Sequence, residues 1–210
     1  MTINCSWRSF TLPNIPIYEA KLPEDVIEKL WEFVGNAKSN ANKELAGNIS
    51  SSLFLDDIDN YFLEFLSPVL KKYIDAYHGF RWNHKKRPGK YKLTLESFWV
   101  NYQKKTEVNP LHNHAGAISF VIWMKIPTEW KDQHNLPFAK HSNNACASDF
   151  EFVYVDACGT FRTYRYKMSS ESEGTIVMFP ATLWHQVYPF YECDEERVSI
   201  SGNIVWEGDK

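Results

Sequence analysis

The sequence predicts a mainly β protein with helices in its N-terminal part. Three observations carry that prediction. From about residue 90, short β-branched and aromatic runs alternate with turn residues. Aromatic residues make up 16% of the chain, with 8 Trp, 11 Tyr and 14 Phe, and flat side chains pack well on a pleated surface. Ahead of that zone the apolar residues recur at helical spacing instead. Seven or more short strands imply a β-sandwich or jelly roll, and 210 residues can bury a sizeable core in one domain.

The elements follow in order. Pro23 suits a first helical turn, and Glu24 and Asp25 suit the positive end of a helix. Val26, Ile27, Leu30, Trp31 and Val34 then recur at helical spacing, with Gly35 as the stop. Leu45 to Ile49 is a short apolar patch in a polar loop. A second helix is expected from Asp57 to His78, ended by Gly79, with Pro68 as a break or kink because proline removes an intrahelical donor. Strands are expected near 91–102, 117–126, 150–156, 161–167, 174–180, 185–189 and 196–206. Residues 127–149 read as a long loop, either a lid facing substrate or an excursion without order. The expected organisation is a single domain, 1–210, with a mostly helical part over 1–88 and a β core over 89–210.

Net charge is -3 and the pI about 6.2, which points to neither nucleic acid nor an anionic membrane as partner. No uninterrupted apolar window is long enough for a transmembrane helix. The start, Met1 to Cys5, lacks the basic and apolar pattern of a signal peptide. Cys5, Cys146, Cys158 and Cys193 form no CxxC pair and read as free thiols of a reducing compartment. A cytoplasmic protein is therefore expected, and its oligomeric state is open.

The chemistry is concentrated in the histidines and one arginine. Of seven histidines, His78 and His84 read as structural or surface residues, and His134 and His141 lie in the long loop with no assigned role. His112 and His114 are separated by one residue at the mouth of a strand, so their side chains point the same way. Two imidazoles on one face either share a metal, which takes the neutral form, or belong to a solvated loop. His185 emerges from the apolar stretch Gly174 to Trp184 and needs a partner if buried, a metal or a backbone carbonyl. On the next strand Arg197, Ser199 and Ser201 share a face. An arginine aimed into an apolar interior is costly unless an anion meets it. A carboxylate does so through paired charge-assisted bonds, and the simpler partner is Glu195 or Glu196.

These pieces in this order resemble the Fe(II)- and 2-oxoglutarate-dependent oxygenases. The text Asn109 to His114, the run Ser119 to Pro127 and the patch Leu45 to Ile49 look like the prolyl-hydroxylase-like subgroup of bacteria and tailed phages, cyanophages among them. The resemblance covers about residues 91–206. It implies a double-stranded β-helix (jelly roll) packed against helices. The pattern is HxD/E, then a distal His, then a basic residue about ten positions on. Here His114 to His185 is 71 residues and His185 to Arg197 is 12. By resemblance, His112 and His185 are iron ligands, Arg197-Val198-Ser199 matches the RxS clamp for 2-oxoglutarate, and Tyr102, ten before His112, is a further 2-oxoglutarate contact. His114 stands where the family's carboxylate should be. It binds in a three-His site, or stands off the metal, or marks an inactive relative.

The implied activity is a dioxygenase that takes 2-oxoglutarate, O2 and an unidentified primary substrate, releases succinate and carbon dioxide, and hydroxylates a peptide side chain or small molecule. Two other readings fit the same residues: a cupin-like three-His metal protein without 2-oxoglutarate, and an inactive jelly-roll interaction module of a phage. The implied setting is the cytosol of a bacterium or of an infected host.

Overall fold

The computed structural model describes residues 15–76 and 92–206. His78, Gly79, His84 and Cys5 lie outside the described residues. The elements are β1 (Tyr18–Lys21), α1 (Glu24–Asn36), β2 (Ser39–Asn40), β3 (Ser51–Phe54), α2 (Tyr61–Ala76), β4 (Leu93–Gln103), β5 (Asn109–His112), β6 (Ile118–Lys125), α3 (Trp130–His134), β7 (Phe150–Val155), β8 (Phe161–Tyr166), β9 (Thr175–Pro180), β10 (Trp184–Val187) and β11 (Arg197–Trp206). They form a seven-stranded sheet, β1-β9-β6-β11-β4-β3-β2, and a four-stranded sheet, β5-β10-β7-β8. Pairing is antiparallel in both. From β4 onward the chain passes repeatedly between the two sheets, an arrangement consistent with a jelly-roll-like fold.

The large sheet is buried on both faces, which its alternation makes legible. Phe98, Val100, Phe120, Ile122, Met178 and Ile200 face the helices, packing with Leu30, Phe33, Phe62, Leu66 and Leu70. Phe62 stacks on Phe98 at 5.5 Å between ring centroids. Gly202 makes room for this aromatic layer, since a Cβ there would lie 2.5 Å from the Phe120 ring and 2.8 Å from the Ser97 carbonyl. The opposite face contributes Val121, Trp123, Val177 and Phe179 to a second core with Phe150 and Phe152 of the small sheet. Arg197 and Ser199 line a cavity in this inter-sheet layer.

The N-terminal part is less purely helical than expected, because β1, β2 and β3 come from it and extend the large sheet at both ends. Asp57 caps α2 by accepting the Phe62 and Leu63 amides at 2.7 and 2.9 Å, and a 3₁₀ turn, Ile58–Asn60, precedes the helix. Pro68 does not break it: α2 runs through the proline. Both Pro68 and Glu64, whose carbonyl loses its donor, lie on the exposed side, where water replaces the missing bond. The 127–149 segment is also ordered. It contains α3 and buries Gln133, Leu136, Ala139 and Ala147. Gln133 ties it down with two bonds of 2.9 Å to the Tyr191 backbone.

Candidate active site

Strand pairing brings the predicted histidines together. His112 at the end of β5 lies directly opposite His185 at the start of β10. The chain then turns, and the His114 amide donates to the Ala181 carbonyl at 2.8 Å, which returns His114 to the same place. Ring centroids are 4.3 Å apart for His112 and His185, 4.9 Å for His112 and His114, and 5.1 Å for His114 and His185. One nitrogen from each falls within 4.8 Å of the others. The Nδ1–H of His112 donates to the Pro110 carbonyl at 2.6 Å, and that of His185 to the Leu183 carbonyl at 2.9 Å. Those bonds fix the ring orientation and tautomer and leave Nε2 as the lone-pair donor, the usual arrangement behind a metal-ligating histidine.

The environment keeps all three rings neutral. Burial pushes the His185 imidazole down to about 3, helped by the neighbouring His112. Burial and then His112 bring His114 down to about 4, and burial lowers His112 as well. Phe150, Phe152 and Phe179 surround the His185 ring at 5.8, 6.2 and 4.9 Å, and Trp99 lies 5.8 Å from His114. Neutral imidazole is the metal-binding form.

A pH dependence follows for the metal-free protein. The unfolded chain takes up protons at the ordinary histidine value of 6.5, whereas the folded chain resists them until about 4 at His114. Stability is therefore complete above about pH 6.5 and falls as the pH drops. Between pH 6.5 and about 5 the expected loss approaches about 2 kcal/mol for each of His114 and His185. Thermal midpoints of metal-free protein across that window check this, and a flat profile would contradict the burial argument.

Arg197 is the second pole of the site. It is 3% exposed. Its Nη2 donates to the Ser148 carbonyl at 2.8 Å and to the Ser148 hydroxyl, and its Nη1 to Gln103 Oε1 at 3.4 Å. The guanidinium also lies 5.2 Å over the Phe190 ring. Burial lowers its proton affinity to about 10, with Asp149 acting in the opposite direction. The simple carboxylate partners do not reach it. Glu195 binds Lys125 at 2.7 Å, and Glu196 lies 4.0 Å from Lys104 at the surface. Its Nε is buried without a hydrogen-bond partner among the described residues. A buried cation with an unused donor is suited to an anion.

The unused donor belongs to a side chain lining a small cavity between the sheets, together with Ser199, Gln103, Asn101, Asn109 and Trp123. Phe150 connects the two poles, lining this cavity while stacking on His185. Tyr102 does not join them. It pairs with Val198, one position out of phase with Arg197 and Ser199, and packs against the helix-facing core. Asn101 and Gln103, which flank it, hold the cavity side instead. Those two, with Ser148 and Asn109, are the polar residues that sequence reasoning missed. The strict alternation of β4 opposite Arg197 would have found Asn101 and Gln103; nothing in the sequence marks Ser148. His134 also has a place, 3.0 Å from the buried Asp149, apart from the three-His group.

Residues 97–203, about half of the chain, match a family profile described as "Putative 2OG-Fe(II) oxygenase". The chain belongs to this 2OG-Fe(II) oxygenase family. The family's cofactors are Fe(II) and 2-oxoglutarate, and the three-His group is compatible with iron. No curated protein matches the chain. Among solved structures it is similar to a Pseudomonas putida prolyl-4-hydroxylase, at 14% identity over 91% of this chain and 91% of that one, with a TM-score of 0.47. It is also similar to an oxidoreductase of the 2OG-Fe(II) oxygenase family from Burkholderia pseudomallei, at 12% identity over 89% of this chain and 85% of that one, with a TM-score of 0.49. Among the described residues, no helix is long and apolar enough to cross a membrane.

Proposed function

We propose that the protein is an Fe(II)- and 2-oxoglutarate-dependent dioxygenase that hydroxylates a peptide side chain or a small molecule. His112, His114 and His185 would hold the metal, and Arg197 with Ser199 would hold the distal carboxylate of 2-oxoglutarate. The observation that carries this reading is the buried Arg197, which among the described residues has no carboxylate hydrogen-bonded to it and no partner for its Nε, together with three converging neutral imidazoles. In this reading β4 to β11 are the eight strands of a double-stranded β-helix forming one domain with the helices. The text Asn109 to His114 favours the phage-type, prolyl-hydroxylase-like subgroup.

When bound, the metal and 2-oxoglutarate supply oxidation of a C–H bond coupled to decarboxylation to succinate. The chain's own residues orient and exclude. Carbonyl bonds to Nδ1 of His112 and His185 present both Nε2 atoms in fixed directions. Arg197 supplies positive charge where a distal carboxylate would lie, and Trp123 and Phe150 keep water from that corner. Three neutral imidazoles add no charge, so a divalent ion and a dicarboxylate would cancel and leave the Arg197 guanidinium as the net positive charge of the site.

The three-His ligand set also favours a second reading, a cupin-like metal protein that uses no oxo acid. Anaerobic loading with Fe(II), followed by 2-oxoglutarate and air, separates the two. The dioxygenase is expected to release succinate slowly even without its primary substrate, and chelated protein to release none. Intact iron binding with no succinate would count against the dioxygenase.

A further inference from the structure

We infer that Ser148 is a positioning residue for the Arg197 clamp, which makes the end of the 127–149 segment part of the 2-oxoglutarate site. The inference rests on the reading of Arg197 as the clamp. Ser148 is fully buried and has φ of +74°. A non-glycine residue in that region is strained and persists only where its surroundings determine it. They do so on both sides. The Ser148 amide donates to the Pro189 carbonyl at 2.9 Å, and the Tyr188 amide to the Asp149 carbonyl at 2.9 Å. The Ser148 hydroxyl also lies 3.1 Å from Thr128 Oγ1, at the other end of the segment.

What the strain secures is a double acceptor. The carbonyl and the hydroxyl of this one residue both take hydrogen bonds from Arg197 Nη2. Gln103 accepts from Nη1 and is itself held, its Nε2 donating to the Glu107 carbonyl at 2.7 Å. A guanidinium is planar, so acceptors at both terminal nitrogens fix its orientation. Nε is left, among the described residues, as the donor without a partner, on a side chain that lines the cavity. A residue from the long excursion thus sets which donor the clamp has to offer.

Calorimetric titration of anaerobic Fe(II)-loaded protein tests this, with 2-oxoglutarate and with 2-oxobutyrate, which has the same oxo-acid end but no distal carboxylate. Ser148→Ala is expected to weaken 2-oxoglutarate by up to about tenfold, because a less fixed guanidinium has to be ordered on binding, and to leave 2-oxobutyrate unchanged. If Ser148→Ala does not fold, Ser148→Gly removes the same hydroxyl and accepts the positive φ. An equal loss for both oxo acids would assign Ser148 a structural role only and overturn the inference. Unchanged 2-oxoglutarate affinity in the Ser148 variants, with binding lost in Arg197→Met, would overturn it while leaving the clamp intact. Unchanged affinity in Arg197→Met as well would overturn the clamp reading itself.

Discussion

Arg197→Met is expected to weaken 2-oxoglutarate binding by about 100-fold or more, because truncating one member of a buried charge pair costs about 3–5 kcal/mol. Metal binding is expected to stay as in the unsubstituted protein, since Arg197 belongs to the other pole of the inter-sheet layer. The methionine keeps much of the aliphatic volume against Phe190 and removes a buried cation whose Nε has no partner among the described residues. It also leaves the buried Ser148 carbonyl and Gln103 Oε1 without their donor, so the metal-free variant is expected to be less stable than the parent by about 1–3 kcal/mol. Arg197→Lys separates charge from geometry. It keeps the positive charge and loses the fork that bonds Ser148 and Gln103, so an intermediate affinity is expected. Calorimetry with 2-oxoglutarate reads all three proteins. Undiminished affinity in Arg197→Met would remove the clamp from the site.

The sequence was most legible where burial on one or two faces imposes a period. The seven strands it marks correspond to β4 and β6 to β11, each rich in β-branched or aromatic residues. The strands it misses lack that signature for physical reasons. β1 is largely exposed at a sheet edge, β2 is two polar residues, β3 is half serine, and β5 contains Pro110. Pairing with a neighbour, which spacing cannot show, makes them strands. The metal-site reading draws its three histidines from residues 73 positions apart, and it is the His112–His185 register that joins them. At Tyr102 spacing and strand phase disagree. A count of ten residues ignores the two-residue period of a strand, which turns Tyr102 to the helices and Asn101 and Gln103 to the cavity. Ser148 was illegible because its role lies in a backbone angle.

His185→Phe is expected to abolish iron binding, with an affinity loss of about 100-fold or more, and to leave the protein folded. Of the three imidazoles His185 is the most buried, at 5% exposure, and it comes from β10, away from the His112 to His114 stretch. Without it the remaining nitrogens come from one short stretch, His112 to His114, and no longer close around an ion from two sides. Alanine would confuse this result, because deleting a ring packed among Phe150, Phe152 and Phe179 leaves a cavity worth about 2–5 kcal/mol. Phenylalanine fills the same space among aromatic neighbours and cannot ligate. It forfeits the Nδ1 bond to the Leu183 carbonyl, a cost of about 1 kcal/mol, offset by removing a polar ring from an apolar pocket. The variant is also expected to lose a share of the stability decline below pH 6.5, since one suppressed imidazole is gone. Metal analysis after anaerobic loading, with the thermal midpoint at two pH values, reads both effects. A variant that retains stoichiometric iron would show that His185 is a core histidine bonded to a carbonyl, leaving His112 and His114 to find their third ligand elsewhere.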